Sequence, residues 1–203
     1  MPAEPPAAAA HTPLVDALLE FLEAFIHQVL FVRELYSPEL FERQRLYGIA
    51  VRRARHPELA AYIADTVAGL RGPLASGSLV KVAIVVLGPQ RKPVERFVFE
   101  PRLTSAAPGG PAELDVEALE SQLRGALLKV QYCDSYLRKL PGGCTFEVVA
   151  YTSGRGGPGG VAQDAWVEEQ LAPGRLELAQ AEIVPIKSCA LEGAFQLQLY
   201  AES

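Results

Sequence analysis

The stretch from Leu14 to Val32 constrains this chain more than any other. Leu14, Leu18, Leu22, Phe25, Val29 and Val32 recur at steps of four or three, and Val15, Leu19, Ile26 and Leu30 fill the flanks. An apolar surface that wide belongs to a helix covered on most sides rather than to one lying on a surface. The polar stripe is narrow, with Asp16, Glu20, Glu23, His27 and Glu34. Those charges break the run well short of the ~18 apolar residues that cross a bilayer, so the segment reads as the central helix of a soluble domain. Thr12 followed by Pro13 supplies its start, a hydroxyl cap before a residue suited to the first helical position.

Everything else must pack around that helix. Pro38 opens a short helical piece, and Leu46 to Arg55 reads as an extended, strongly basic segment. A second helix begins at Pro57, buries Leu59, Ile63, Val67 and Leu70, and stops at Gly72-Pro73. Leu79 to Leu87 is apolar at both parities apart from Lys81, as in a strand covered on two faces. A short loop leads to Val94–Glu100, making a hairpin. A third helix is expected from about Ala112 to Leu140, closed by Pro141-Gly142-Gly143, and a strand from Cys144 to Thr152 follows. A long connection runs to Gln180, and connections of that length are usually functional or disordered. Ile183–Lys187 and Phe195–Tyr200 close the chain, with Phe195, Leu197 and Leu199 alternating with Gln196, Gln198 and Tyr200. The pattern predicts an α+β fold with three helices packed on a mostly antiparallel sheet.

The chain has 203 residues, which suits one domain with one core. Residues 1–13, rich in Ala and Pro, read as a disordered tail without a signal-peptide pattern, and 14–203 as the folded domain. A formal charge of -5 disfavours a protein that binds nucleic acid by phosphate neutralisation alone. It does not exclude a partner of a nucleic-acid enzyme. Cys133, Cys144 and Cys189 make no zinc pattern and suit reduced thiols in an intracellular compartment, and the absence of Asn rules out N-glycosylation.

Catalysis finds little support. Of three histidines only His27 is a candidate base, and no serine or cysteine nucleophile or metal-ligand spacing accompanies it, so its ordinary reading is structural. The glycine-rich SGRGGPGG at 153–160 has no Lys-Ser or Lys-Thr to close a phosphate loop and suits a flexible linker. No metal ligand set, catalytic residue or cofactor site is expected. Arg43, Arg45, Arg52, Arg53 and Arg55 form either a solvated face or a patch for an acidic partner, or for DNA held by a larger complex. Trp166 is the single tryptophan and lies in the least periodic stretch, as a core plug or as a contact anchor.

Taken in order, FLEAFIHQVLFVRELY at 21–36, HPELAAYIADT at 56–66, KPVERFVFE at 92–100, PGGCTFEV at 141–148, VPIK at 184–187 and LQLYAE at 197–202 resemble the HORMA domain. Within it they are most similar to the accessory, mitotic-arrest-deficient-like subunits of translesion DNA polymerase zeta. The resemblance implies a HORMA domain whose last part, about 153–203, is a safety belt. That belt would trap an extended proline-containing peptide of the polymerase catalytic subunit. It implies a second surface on the C-terminal hairpin for a deoxycytidyl-transferase translesion polymerase. Roles in double-strand-break repair choice and in cell-cycle control, with mitotic regulators as partners, come with it, as do a nuclear location, with cytoplasm and spindle besides, and no sequence-specific nucleic-acid binding.

Carried over by position, the resemblance assigns Tyr62 and Trp166 to the peptide, and Ile183, Gln198 and Tyr200 to the second polymerase. It assigns Glu34 and Arg124 to self-association as a weak homodimer. The Gly-rich stretch and the surroundings of Pro173 depart from the family pattern. Two other readings stand beside this adaptor: a checkpoint-type HORMA protein acting on a mitotic regulatory complex, and an enzyme using the glycine loop on a nucleotide.

Overall fold

The computed structural model describes residues 12–104, 114–153 and 176–203. The expected tail up to residue 11, most of the glycine-rich stretch and Trp166 lie outside the described residues. Helix α1 (Thr12–Val32) is the central element: Leu18, Phe21, Leu22, Phe25, Ile26, Val29 and Leu30 are all buried. Two of its buried polar side chains accept hydrogen bonds from the strand beside it. The Ala54 N–H donates to His27 Nδ1 at 3.3 Å, and the Arg52 N–H donates to Gln28 Oε1 at 3.2 Å.

The exit from α1 carries a feature the sequence does not advertise. Glu34 takes a left-handed conformation with φ 51°, while the Leu35 N–H bonds the Leu30 carbonyl at 3.1 Å and the Glu34 N–H bonds the Phe31 carbonyl at 3.1 Å. This is a Schellman-type cap with Glu in the place usually held by Gly. It turns Arg33 back into the protein.

The basic stretch expected as one extended piece is a hairpin, β1 (Phe41–Leu46) and β2 (Ile49–Ala54). Tyr47 and Gly48 both have positive φ, 48° and 77°, as a two-residue hairpin turn of the right twist requires. Tyr-Gly is a weaker turn signal than Asn-Gly, which is why the fold-back is hard to read. Helix α2 (Pro57–Ala68) ends before the expected stop, because Gly72 and Pro73 fall inside a short α3 (Arg71–Ala75), where a proline in the first turn is tolerated.

Strands β3 (Leu79–Leu87), β4 (Pro93–Leu103), β5 (Thr145–Thr152), β6 (Ile183–Leu191) and β7 (Phe195–Glu202) form an antiparallel sheet in the order β5-β3-β4-β7-β6. Val82, Ile84, Val86, Phe97, Phe99, Leu197 and Leu199 face the helices and form one core with α1, α2 and α4. On the opposite face Ala83, Val85, Leu87 and Val98 form a smaller apolar cluster, and Leu176 packs onto it.

Helix α4 (Val116–Gln131) is shorter than the expected Ala112–Leu140. Asp115 caps it, accepting the Ala118 N–H at 2.9 Å. It stops at Gln131 because the next residues are pulled into a 3-10 turn, Cys133–Tyr136, which buries Cys133 and brings Asp134 to Arg33. Tertiary contacts override a helical period that continues on paper to Leu137. Arg33 is the centre of that region. Its Nε and Nη2 donate to the two oxygens of Glu95 at 2.8 and 3.1 Å, Nη1 meets Asp134, and Nη2 also reaches the Arg138 carbonyl at 2.5 Å.

Burial pushes the Glu95 carboxyl above the usual carboxylate range even with Arg33 beside it. Replacing Arg33 by Met is expected to cost about 3–5 kcal/mol in urea denaturation, because it strands a buried carboxylate. That loss should shrink as the pH falls, since protonated Glu95 carries no charge. Arg33→Met combined with Glu95→Leu should recover most of it. A single substitution as mild as the double one would show that the pair is not the clamp.

Candidate functional site

The two outer edges of the five-stranded sheet are built differently. At one edge, β6 carries Pro185, a register irregularity between Pro185 and Lys187, and a lysine, all devices that discourage a further strand. At the other edge, β5 reads TFEVVAYT, with no proline or lysine and a single charge, Glu147, which Arg91 engages. Its residues favour strand pairing. Among the described residues no strand pairs with the outer side of β5.

Aromatic side chains line that edge. Tyr62, on α2, meets the Phe146 ring edge-on at 6.0 Å, and Tyr36 meets the same ring at 6.1 Å. Tyr62 is 46% exposed although its ring is anchored, and burial raises its hydroxyl pKa, with Thr66 and the Val148 backbone beside it. The structure therefore places Tyr62 on the open edge of β5, on a surface that also includes Tyr36, Phe146 and Val148. Tyr36 and Phe146 escape sequence reasoning, although both stand inside the quoted segments. Trp166, assigned to the same surface, is outside the described residues and is not placed.

Ile183, Gln198 and Tyr200 do come together. In the β6–β7 pairing Ile183 lies opposite Glu202, Pro185 opposite Tyr200 and Ser188 opposite Gln198, so these side chains share the sheet face away from the helices. Ile183 is 62% exposed and Gln198 is exposed. Tyr200 is only half-buried and packs against the cluster of Ala83, Val85 and Val98. Burial first, then the carboxylates of Glu100 and Glu202, raise its hydroxyl pKa. Beside it, buried Arg96 pairs with Glu202 at 2.8 Å and donates to the Tyr151 hydroxyl at 3.0 Å.

Glu34 and Arg124 are both exposed, and among the described residues neither forms an ion pair. Arg124 stands in a solvent-facing row of α4 at steps of four: Val116, Glu120, Arg124, Leu128 and Tyr132 just past its end. Gln131 does not extend that row. Its side-chain amide donates to the Ala50 carbonyl at 2.7 Å and ties α4 to the β1–β2 hairpin.

His27 is buried. Because Nδ1 accepts the Ala54 N–H, the neutral ring carries its proton on Nε2, which lies 3.9 Å from Glu23 Oε1. The His27 imidazole foremost, and Arg53 at 3.1 Å, hold the Glu23 carboxyl below the usual range. No nucleophile touches this ring among the described residues. Cys133 and Cys189 are buried, their thiols pushed up to about 12 and about 11 by desolvation. Unreactive packing residues behave this way. Among the described residues no cluster of His, Cys, Asp or Glu suits a metal ion, and no helix is long and apolar enough to cross a membrane.

Comparison with known proteins follows the same lines. No family model matches the chain. It is 32% identical over 199 residues to the mitotic spindle assembly checkpoint protein MAD2B of Danio rerio, covering 93% of this chain and 90% of that protein. Against MAD2B of Gallus gallus it is 39% identical over 142 residues, 68% of this chain, and spans 65% of the relative's length. Against the DNA polymerase zeta processivity subunit of Arabidopsis thaliana it is 35% identical over 134 residues, 66% of this chain and 61% of that protein. Among solved structures, a chain of the mitotic checkpoint complex superposes with a TM-score of 0.79 at 20% identity, covering 94% of this chain and 98% of that one. HTP-2 of C. elegans bound to the HIM-3 closure motif gives 0.76 at 15% identity, covering 94% and 90%. At such identities the structures establish the fold alone.

Proposed function

The chain belongs to the MAD2B family of HORMA-domain proteins, and we propose that it is a non-enzymatic adaptor that traps an extended, proline-containing peptide of the polymerase zeta catalytic subunit. The observation that carries this reading is the unguarded outer edge of β5 beside Tyr36, Tyr62 and Phe146. An extended peptide added there gains main-chain hydrogen bonds along the strand, and alternate side chains drop toward the aromatic rings. The segment after β5, about 153–203, acts as the belt. The processivity-subunit name of a relative and the closure-motif complex of a structural neighbour support this choice of ligand.

β5 and β6 lie on opposite edges of the sheet, with three strands between them. At about 4.8 Å per strand β5 is therefore roughly 14 Å from β7 and roughly 19 Å from β6, so the outer edge of β5 and the exposed side of the terminal hairpin offer separate surfaces to two partners. We assign the exposed side of β6–β7, with Ile183, Gln198 and Tyr200, to a deoxycytidyl-transferase translesion polymerase. The adaptor thus bridges two polymerases and works in the nucleus. The α4 row, with Arg124 between apolar Val116 and Leu128, suits a weak homodimer in which Arg124 meets Glu34 of a second copy. A checkpoint-type role on a mitotic regulatory complex is the second reading, favoured by the name that several relatives carry. Competition between polymerase-derived and checkpoint-derived peptides separates the two.

Three measurements test these assignments. In calorimetry with a proline-containing peptide of the polymerase catalytic subunit, Tyr62→Ala and Trp166→Ala should each weaken binding by about thirtyfold, roughly 2 kcal/mol, with the melting temperature little changed. Absence of binding to the wild-type chain would remove the adaptor reading. Gln198→Ala and Tyr200→Ala should reduce capture of the second polymerase while sparing the peptide; loss of both activities in the Gln198 variant, whose side chain is exposed, would unite the two sites. Sedimentation at tens of micromolar should give a fraction of dimer for the wild type and monomer for Arg124→Ala, and identical behaviour of the two would move the dimer contact elsewhere.

A further inference from the structure

The β1–β2 hairpin concentrates positive charge in a way the rest of the molecule does not. Arg43 pairs in register with Arg52, so two like charges stand directly opposite each other, an arrangement that costs stability rather than adding to it. Arg45 follows two residues along on the same face, about 6.8 Å from Arg43 along the strand. Among the described residues none of these three makes an ion pair, whereas Arg33, Arg53 and Arg96 do. The nearest carboxylate on β1, Glu42, lies on the other face, opposite Arg53, and takes a hydrogen bond from Gln44 at 3.1 Å. In a chain of net charge -5 this patch is not a by-product of composition.

The patch is also held rigidly. The Arg52 and Ala54 N–H groups are fixed on α1 through Gln28 and His27, and the Ala50 carbonyl is fixed by Gln131 of α4. The Arg52 guanidinium lies over the Phe31 ring at 4.5 Å, which sets its position. Arg43 and Arg45 remain exposed. A ligand meeting this face need not order the backbone that presents the charges.

We propose that the face carrying Arg43, Arg45 and Arg52 contacts the phosphate backbone of duplex DNA, independently of sequence. Two features favour DNA over an acidic protein. None of the exposed large apolar side chains among the described residues lies in β1 or β2, so the face offers a protein partner no anchor of the kind that dominates protein interfaces. Phosphate contacts need no anchor, because their free energy comes from releasing counterions along a repeating line of charge. The guanidinium fork also suits phosphate oxygens. Three such contacts give weak binding, so the surface would orient DNA already held by a larger complex. The inference stands on the hairpin alone and not on the peptide edge.

The test is fluorescence anisotropy of the full-length chain with a labelled mixed-sequence duplex of about 20 base pairs, over roughly 50 to 200 mM salt. Binding should be saturable at low salt, indifferent to base sequence and steeply salt-dependent. Arg43→Ala with Arg45→Ala should reduce the log-log salt slope by about two, and the double change to Glu should weaken binding at least about tenfold, with the melting temperature no lower than that of the wild type. Tyr62→Ala should leave DNA affinity untouched, which separates this surface from the peptide site. No binding at the lowest salt, or an unaltered slope in the double variant, would overturn the proposal. A glutamate-rich peptide of matched charge that displaces the duplex equally well would overturn it too and assign the face to an acidic protein.

Discussion

The arrangement of this molecule depends on one buried guanidinium. Arg33 leaves α1 through a left-handed turn at Glu34 and joins three segments far apart in sequence: Glu95 on β4, Asp134 after α4, and the Arg138 carbonyl on the way to β5. A buried ion pair is weak evidence of net stability, because desolvation offsets most of the attraction. Its value here is positional. An apolar residue at 33 could fill the space, but it could not tell the end of α1 which strand to meet or stop α4 at Gln131. Because Tyr36 follows three residues after Arg33 and Phe146 follows the Arg138 segment, the clamp also sets the aromatic ring pair at the β5 edge.

What was legible in the sequence follows from what periodicity can report. The width of the α1 apolar surface, the two-faced burial of β3 and the alternation of β7 are local patterns, and the structure has each element where the pattern stands. The departures occur where a distant residue decides. Helix α4 stops early because Cys133 and Asp134 have better partners outside the helix, and no window of sequence contains Arg33 and Asp134 together. The β1–β2 fold-back turns on Tyr47 adopting a positive φ that its residue type disfavours. The site divides similarly. Ile183, Gln198 and Tyr200 share a face that strand alternation could anticipate, while Tyr36 and Tyr62 meet Phe146 only through the packing of α2 and the segment after α1 on β5.

The unequal edges of the sheet give the fold its functional direction. A free strand edge invites any passing strand, and proteins commonly blunt it with proline, lysine or a bulge. The β6 edge has all three within Pro185–Lys187, whereas β5 has β-branched and aromatic residues of high pairing tendency. Leaving such an edge unguarded is a liability for a chain with nothing to put there. For a chain that binds an extended peptide, as proposed here, the same edge is an asset, since the backbone groups are already aligned and little further ordering is needed on binding. In the proposed complex, main-chain pairing would give strength common to any extended peptide, and Tyr36, Tyr62 and Phe146 would add affinity and selectivity. Truncating a ring should therefore cost affinity as well as discrimination between peptides.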